Sequence, residues 1–133
     1  MAYAKEKLEQ FEHALRTLEE LMPEEPTRII KDAAIQRFEY SVELFWKALK
    51  VFLLESGGVD APTPKDAIRK AGSTDILTAE EVSLALEMID DRNETSHMYS
   101  ESFADKLFAK LPAYAHCLRA ACEKLKSLIN PAA

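Results

Sequence analysis

Glycine is scarce in this sequence: three residues in 133, two of them adjacent at Gly57-Gly58. A β-rich fold consumes glycine, Asn and Asp in its many turns. Scarce glycine beside long periodic runs therefore points away from sheets and towards helices. The same scarcity rules out a P-loop or a dinucleotide fingerprint, and neither a GxSxG elbow nor an HExxH pair is present. Cysteine is rarer still. Cys117 and Cys122 stand five residues apart, on different faces of a helix and out of disulfide reach. No CxxC pair or Cys/His cluster has metal-ligand spacing, so no metal or other cofactor is expected. Both cysteines read as small core or boundary residues. No apolar run approaches the ~20 residues needed to cross a bilayer. The stretch Met1 to Gln10 alternates charged and apolar residues and has no signal-peptide core. Cytoplasmic residence without a membrane partner is the expectation. Positive charge is also in deficit, 17 basic against 23 acidic residues, for a net −6. Such a chain repels phosphate backbones at long range. That argues against nucleic-acid binding over the whole surface, but leaves room for a local basic groove or one completed by a partner.

What is present is a helical pattern. Apolar residues make up 47% and charged residues 30% of the chain, a globular balance, and 133 residues suffice for one domain with a core of its own. Residues 1–133 are read as that domain. Leu8, Phe11, Leu15, Leu18 and Met22 lie on one face of a first helix, from about Ala4 to Met22, stopped by Pro23 and Pro26. Thr27 is a plausible N-cap for a second helix running to about Ser56. Its two adjacent apolar stripes, Phe38/Val42/Phe45/Leu49/Phe52 and Ile30/Ala34/Ser41/Leu44/Ala48/Val51, predict a central helix with neighbours on two sides. Gly57-Gly58 ends it. A connection follows, with a short helix over Lys65–Ala71 introduced by Pro64 and stopped at Gly72. Thr78 with Glu81 makes a capping-box pattern for the next helix. Val82, Ala85, Leu86 and Ile89 point inward on it, and it should end between Arg92 and His97. The last helix, about Ser100 to Leu128, carries a stripe from Phe103 to Leu128 and an interior Pro112 that should kink it. The economical architecture is all-α: an antiparallel up-and-down four-helix bundle with one additional short helix in the crossover.

Such a pattern carries no function by itself. His13 and His116 sit on helix bodies without an evident carboxylate or His partner, and read as packing or solvated residues. The one concentration of polar chemistry is Asp90 to Glu101. Taken alone it is a polar helix end, with Arg92 complementing the helix dipole and His97 capping carbonyls. Yet the residue types also suit phosphodiester chemistry without a metal. Arg92 offers a permanently charged fork for phosphoryl oxygens, and His97 can move a proton near neutral pH. One Arg and one His make a sparse site, which a two-fold dimer would double.

The run Arg92-Asn93-Glu94-Thr95-Ser96-His97-Met98-Tyr99 resembles the Arg-x4-His-x-Tyr signature of the HEPN (higher eukaryotes and prokaryotes nucleotide-binding) superfamily. The stretch Gln36 to Lys50 is similar to the central helix of its nucleotidyltransferase substrate-binding protein-like branch. Pro64 to Ala71 sits where that branch has a short helix. One departure is Leu84-Ala85-Leu86, where an aromatic residue is expected. The resemblance implies a homodimer with the signature at its interface, and a minimal nucleotidyltransferase as partner protein. It implies a toxin–antitoxin pair in which the HEPN chain cleaves RNA without metal. Arg92 and His97 are then the catalytic candidates, and Tyr99 the acceptor of an AMP group from the partner. Asn93, Ser96 and Glu39 are supporting candidates, with Glu43 beside Glu39. The alternative the family offers is a non-catalytic subunit that holds a substrate or nucleotide, or docks the nucleotidyltransferase. Trp46 reads as core.

Overall fold

A computed structural model of the chain describes residues 1–97 and 100–131. Among these there is no strand, and five helices: α1 (Ala2–Glu19), α2 (Arg28–Gly57), α3 (Pro64–Ser73), α4 (Ala79–Thr95) and α5 (Glu101–Ile129). Side-chain hydroxyls start four of them. Thr27, Thr63, Thr78 and Ser100 accept from the backbone N–H groups of Ile30, Asp66, Glu81 and Phe103. Each satisfies a donor that a helix N-terminus otherwise leaves orphaned. At Thr78 the box closes, because its own N–H donates to Glu81 Oε1 at 2.8 Å. Gly58 adopts the left-handed conformation that ends α2, with φ at 66°.

Four details differ from the sequence pattern. First, α1 ends at Glu19, not Met22. Before Pro23 the chain tightens into i→i+3 bonds, Leu21 N to Leu18 O and Met22 N to Glu19 O, since proline disfavours helix in the residue preceding it. Second, α3 runs through Gly72 to Ser73. Gly72 is there for close approach: a Cβ added to it would lie 2.6 Å from Val82 Cγ2 of α4. Third, the residues of α4 that are fully inside are Ala85, Met88 and Ile89, while Val82 and Leu86 are only partly buried. Fourth, Leu128 lies at the surface of α5, a single helix that contains Pro112.

Helix directions follow from who meets whom. Phe11 packs on Phe45, and the Ala4 N–H donates to Glu55, so α1 and α2 are antiparallel. Asp91 meets Lys110 and Tyr114, while Glu81 lies by Cys117, so α4 and α5 are antiparallel. The pairs Arg28–Glu101, Lys31–Asp105 and Phe38–Tyr114 advance together, so α2 and α5 are parallel. This is up-down-up-down order with α2 and α5 touching across the diagonal. The contact holds α1 and α4 apart on opposite flanks of α2, and they do not touch. Contact with all four other helices accounts for the wide apolar face of α2. The crossover is strapped down by Lys50 and Lys70, whose ammonium groups donate to the carbonyls of Ala61 and Asp60.

Polar seams close the bundle. Arg119 of α5 donates to Glu19 at 2.6 Å and Glu12 at 3.0 Å on α1, and Lys126 reaches Glu12. The Lys126 bond foremost holds the Glu12 carboxyl below the ordinary glutamate range. Both cysteines are buried free thiols, pushed up to about 11 chiefly by that burial. No described helix is long and apolar enough to cross a membrane.

The α3–α4 contact is testable at its tightest point. Gly72→Ala should lower unfolding stability by about 1–2 kcal/mol in urea titration, even after the ~1 kcal/mol that alanine gains in helix propensity. Val82→Ala added to it should restore part of the loss. A Gly72→Ala chain as stable as the wild type would show that α3 and α4 are free to part there.

Candidate functional site

Asp91 and Arg92 are neighbours in the last turns of α4. Successive helix residues point about 100° apart, so the two serve different neighbours. Asp91 turns to α5, where it accepts from the Tyr114 hydroxyl and from Lys110 Nζ at 3.1 Å. Burial first, and Asp91 next, push the Tyr114 phenol far above its usual range, so it stays a neutral donor. Phe38 of α2 stacks on the Tyr114 ring with centroids 5.5 Å apart and an interplanar angle of 15°. Arg92 turns to α2, its Nε 3.9 Å from Glu43 Oε2. One turn on, the Thr95 hydroxyl lies 2.6 Å from the Arg92 carbonyl oxygen and 3.0 Å from Glu39 Oε2, tying the end of α4 to α2.

A groove of about 680 Å³ runs over the outer face of α2. One wall is α1, with Gln10, His13, Ala14 and Thr17. The floor is α2, from Gln36 through Tyr40 to Leu44, and Arg92 stands at the other side. A smaller hollow of about 330 Å³ shares Gln36 and Glu39 with it and continues beneath Thr95 to Phe103. The Arg92 side chain is 31% exposed, yet its Nε is buried and has no hydrogen-bond partner among the described residues. Glu43, at 3.9 Å and itself shared with Lys47 at 3.2 Å, compensates the charge without filling the donor. A buried donor left open costs on the order of 1–3 kcal/mol.

The residues singled out from the sequence fall into two groups. Arg92, Glu39 and Glu43 come together at the groove. His97 lies exposed in the turn after α4, its backbone N–H bonded to Glu94 O at 3.0 Å, and it lines neither hollow. Asn93 and Ser96 are exposed beside it, and the Ser96 hydroxyl donates to Asn93 O at 2.8 Å, a local cap. Tyr99 lies outside the described residues. Trp46 packs against the core. His116 is exposed on α5. His13 is exposed too but shares the groove with Arg92. Spacing along the chain could not have found it, because its counterpart stands on another helix across α2.

One group among the described residues has ligand atoms at metal-binding separation: Glu12, Cys122 and Glu123, within 4.8 Å of one another. Arg119 and Lys126 already bind both carboxylates, and the thiol is raised well above neutrality. The cluster fits an ion-pair seam better than a cation.

With this geometry, the chain matches the family model described as "Nucleotidyltransferase substrate binding protein like" over residues 6–127. A search of curated proteins returns no significant match. Among solved structures, the chain is similar to the protein ttk003001694 from Thermus thermophilus. The two are 44% identical at a TM-score of 0.83, over 87% of this chain and 98% of the other. A mutant of the toxin-antitoxin MntA-HpeT contains a chain that superposes with a TM-score of 0.79 at 11% identity, over 96% of this chain and 99% of that one. A structure of a toxin-antitoxin with AMP-PNP contains another at 0.76 and 9% identity, over 93% and 96%. At such identities the last two are likenesses of fold.

Tyr114→Phe tests the anchor behind Arg92. It removes a buried hydrogen bond to a charged acceptor, and should cost about 1.5–3 kcal/mol in urea titration. A cost below about 0.5 kcal/mol would mean that Lys110 alone holds Asp91.

Proposed function

The chain belongs to the nucleotidyltransferase substrate-binding protein-like family of the HEPN superfamily, and on that premise we propose that it is the HEPN member of a two-component pair with a minimal nucleotidyltransferase, acting as a metal-independent ribonuclease. The observation that carries this reading is Arg92. It is the first residue of an intact Arg-x4-His-x-Tyr signature, and it stands at a groove with an Nε that is buried and has no hydrogen-bond partner among the described residues. Two fold neighbours are components of toxin-antitoxins, one of them with AMP-PNP, which supports the pairing and its regulation by nucleotide chemistry.

The chemistry divides among the signature residues. Arg92 holds a scissile phosphate and offsets the charge that builds on its oxygens. His97 moves a proton, either from the ribose 2′-hydroxyl or to the leaving 5′-oxygen. Tyr99 is the regulatory position, where the partner attaches AMP to the phenol with loss of pyrophosphate from ATP. A homodimer brings two such sites together. Ile29 and Tyr40, 79% and 49% exposed on the outer stripe of α2, are apolar surface suited to that contact.

A second reading, a non-catalytic subunit that binds a substrate or docks the nucleotidyltransferase, draws support from the acidity around Arg92. Glu39 and Glu43 face it, and the chain carries net −6. The two readings separate in one assay. Purified protein should cut RNA in the presence of chelator, and His97→Ala should slow this by about 10²-fold or more. Wild type inert on varied RNAs, yet co-purifying with the nucleotidyltransferase, would leave only the docking role.

The regulatory claim is tested by intact mass. Protein co-expressed with its partner should gain mass in AMP units, and Tyr99→Phe should gain none. An unmodified wild type would remove Tyr99 from this role.

A further inference from the structure

The proposed cleavage needs two proton transfers, one at each end of the reaction. The 2′-oxygen attacks phosphorus and loses its proton. The P–O5′ bond breaks, and the departing oxygen takes a proton up, leaving a 2′,3′-cyclic phosphate and a free 5′-hydroxyl. In-line displacement sets the attacking and leaving oxygens on opposite sides of phosphorus, so the base and the acid stand on opposite sides as well. Within one chain the signature supplies a single histidine, His97.

The groove supplies another. We propose that His13 of α1 is the second proton-transfer group of the Arg92 site, facing from the opposite wall the phosphate that Arg92 holds. The inference rests on the cleavage reading above and adds to it a residue outside the signature. Three observations carry it. His13 and Arg92 line the same groove, from helices that do not touch each other. Arg92 lines the groove with a side chain that is 31% exposed, so an anion held at Arg92 occupies the space between them. And α1 and the end of α4 flank α2 from opposite sides, so His13 and Arg92 face each other across it. The imidazole is exposed and free to exchange protons with solvent between turnovers. The charged and titratable groups facing it across the groove are Glu39, Tyr40 and Glu43 of α2 and Arg92 of α4. Of these, Glu39 is engaged by Thr95 and Glu43 by Lys47 and Arg92, which leaves His13 and Tyr40 without such a bond among the described residues, and of those two residue types the imidazole is the one suited to proton transfer near neutral pH.

The test pairs a rate with a reading that needs no turnover. Rates of RNA cleavage in chelator are measured against pH for wild type, His13→Ala and His13→Gln, with circular dichroism as a check that the surface substitutions leave the fold intact. Wild type should give a bell. Both variants should be slower by about 10²-fold or more and should lose one limb of it. In parallel, the imidazole of His13 is followed by NMR while uridine 3′-monophosphate is added. Its pKa should rise as the phosphate arrives, and Arg92→Ala should abolish the rise. A His13→Ala enzyme within about threefold of wild type with both limbs intact overturns the inference and leaves the cleavage reading standing. No cleavage by wild type, with the Arg92-dependent shift of His13 present, overturns the cleavage reading and the proton-transfer role with it. A His13 resonance unmoved by the nucleotide overturns the placement outright.

Discussion

Tyr114 is gripped from two sides, by the ring of Phe38 from α2 and by the carboxylate of Asp91 from α4. Much in the bundle follows from this one contact. The stack draws α2 and α5 together across the diagonal, and that approach parts α1 from α4. The hydroxyl bond fixes the rotation of α4 about its axis. Because Asp91 is committed to α5, Arg92 is committed to α2. A helix turned by one residue would put the carboxylate over the groove or, turned the other way, the guanidinium against α5. The anchor therefore both closes the core and aims the site, and burial keeps the phenol protonated for the task.

The electrostatics of the groove are restrained. A guanidinium beside one carboxylate at 3.9 Å, with a second carboxylate a turn away, is a weak attractor at long range. It differs from the Arg119 seam, where close bonds to Glu12, Glu19 and Glu123 fill the fork and raise the guanidinium still further above its usual range, the Glu19 bond foremost. Arg119 is spent on structure; Arg92 keeps a donor open. A net charge of −6 means that an anionic ligand reaches this groove against the general field, so its recognition depends on short-range bonds. That favours a small, well-fitted phosphate over a long polyanionic track.

Much of the fold was legible in the chain before any coordinates. The caps at Thr27 and Thr78 and the stop at Gly58 are local events. The caps depend on a side chain meeting backbone three residues on, and the stop on a backbone conformation that glycine takes readily, so residue order reveals them. The stripes of α2 and α5 were legible because burial has the helix period. What was misread needed a neighbour. Gly72 looked like a stop and is a contact with Val82 of α4. Met88 was missed as core because α4 narrows its apolar face to fit between α3 and α5. Met22 sits past the end of α1 because a proline one residue on outweighs its place in the stripe.

The site divides in the same way. From the sequence alone came the signature and its order: Arg92, His97 and Tyr99 on one short run, and a polar helix end for them to occupy. Residue order can do this because all three lie within eight consecutive residues. Tertiary structure alone decided that Arg92 and His97 do not share a hollow, that Glu39 and Glu43 meet the end of α4, and that His13 faces the groove. Those are relations between helices. They are set by the diagonal packing of α2 on α5 and by the rotation that Asp91 imposes on α4, and no spacing along one helix encodes either.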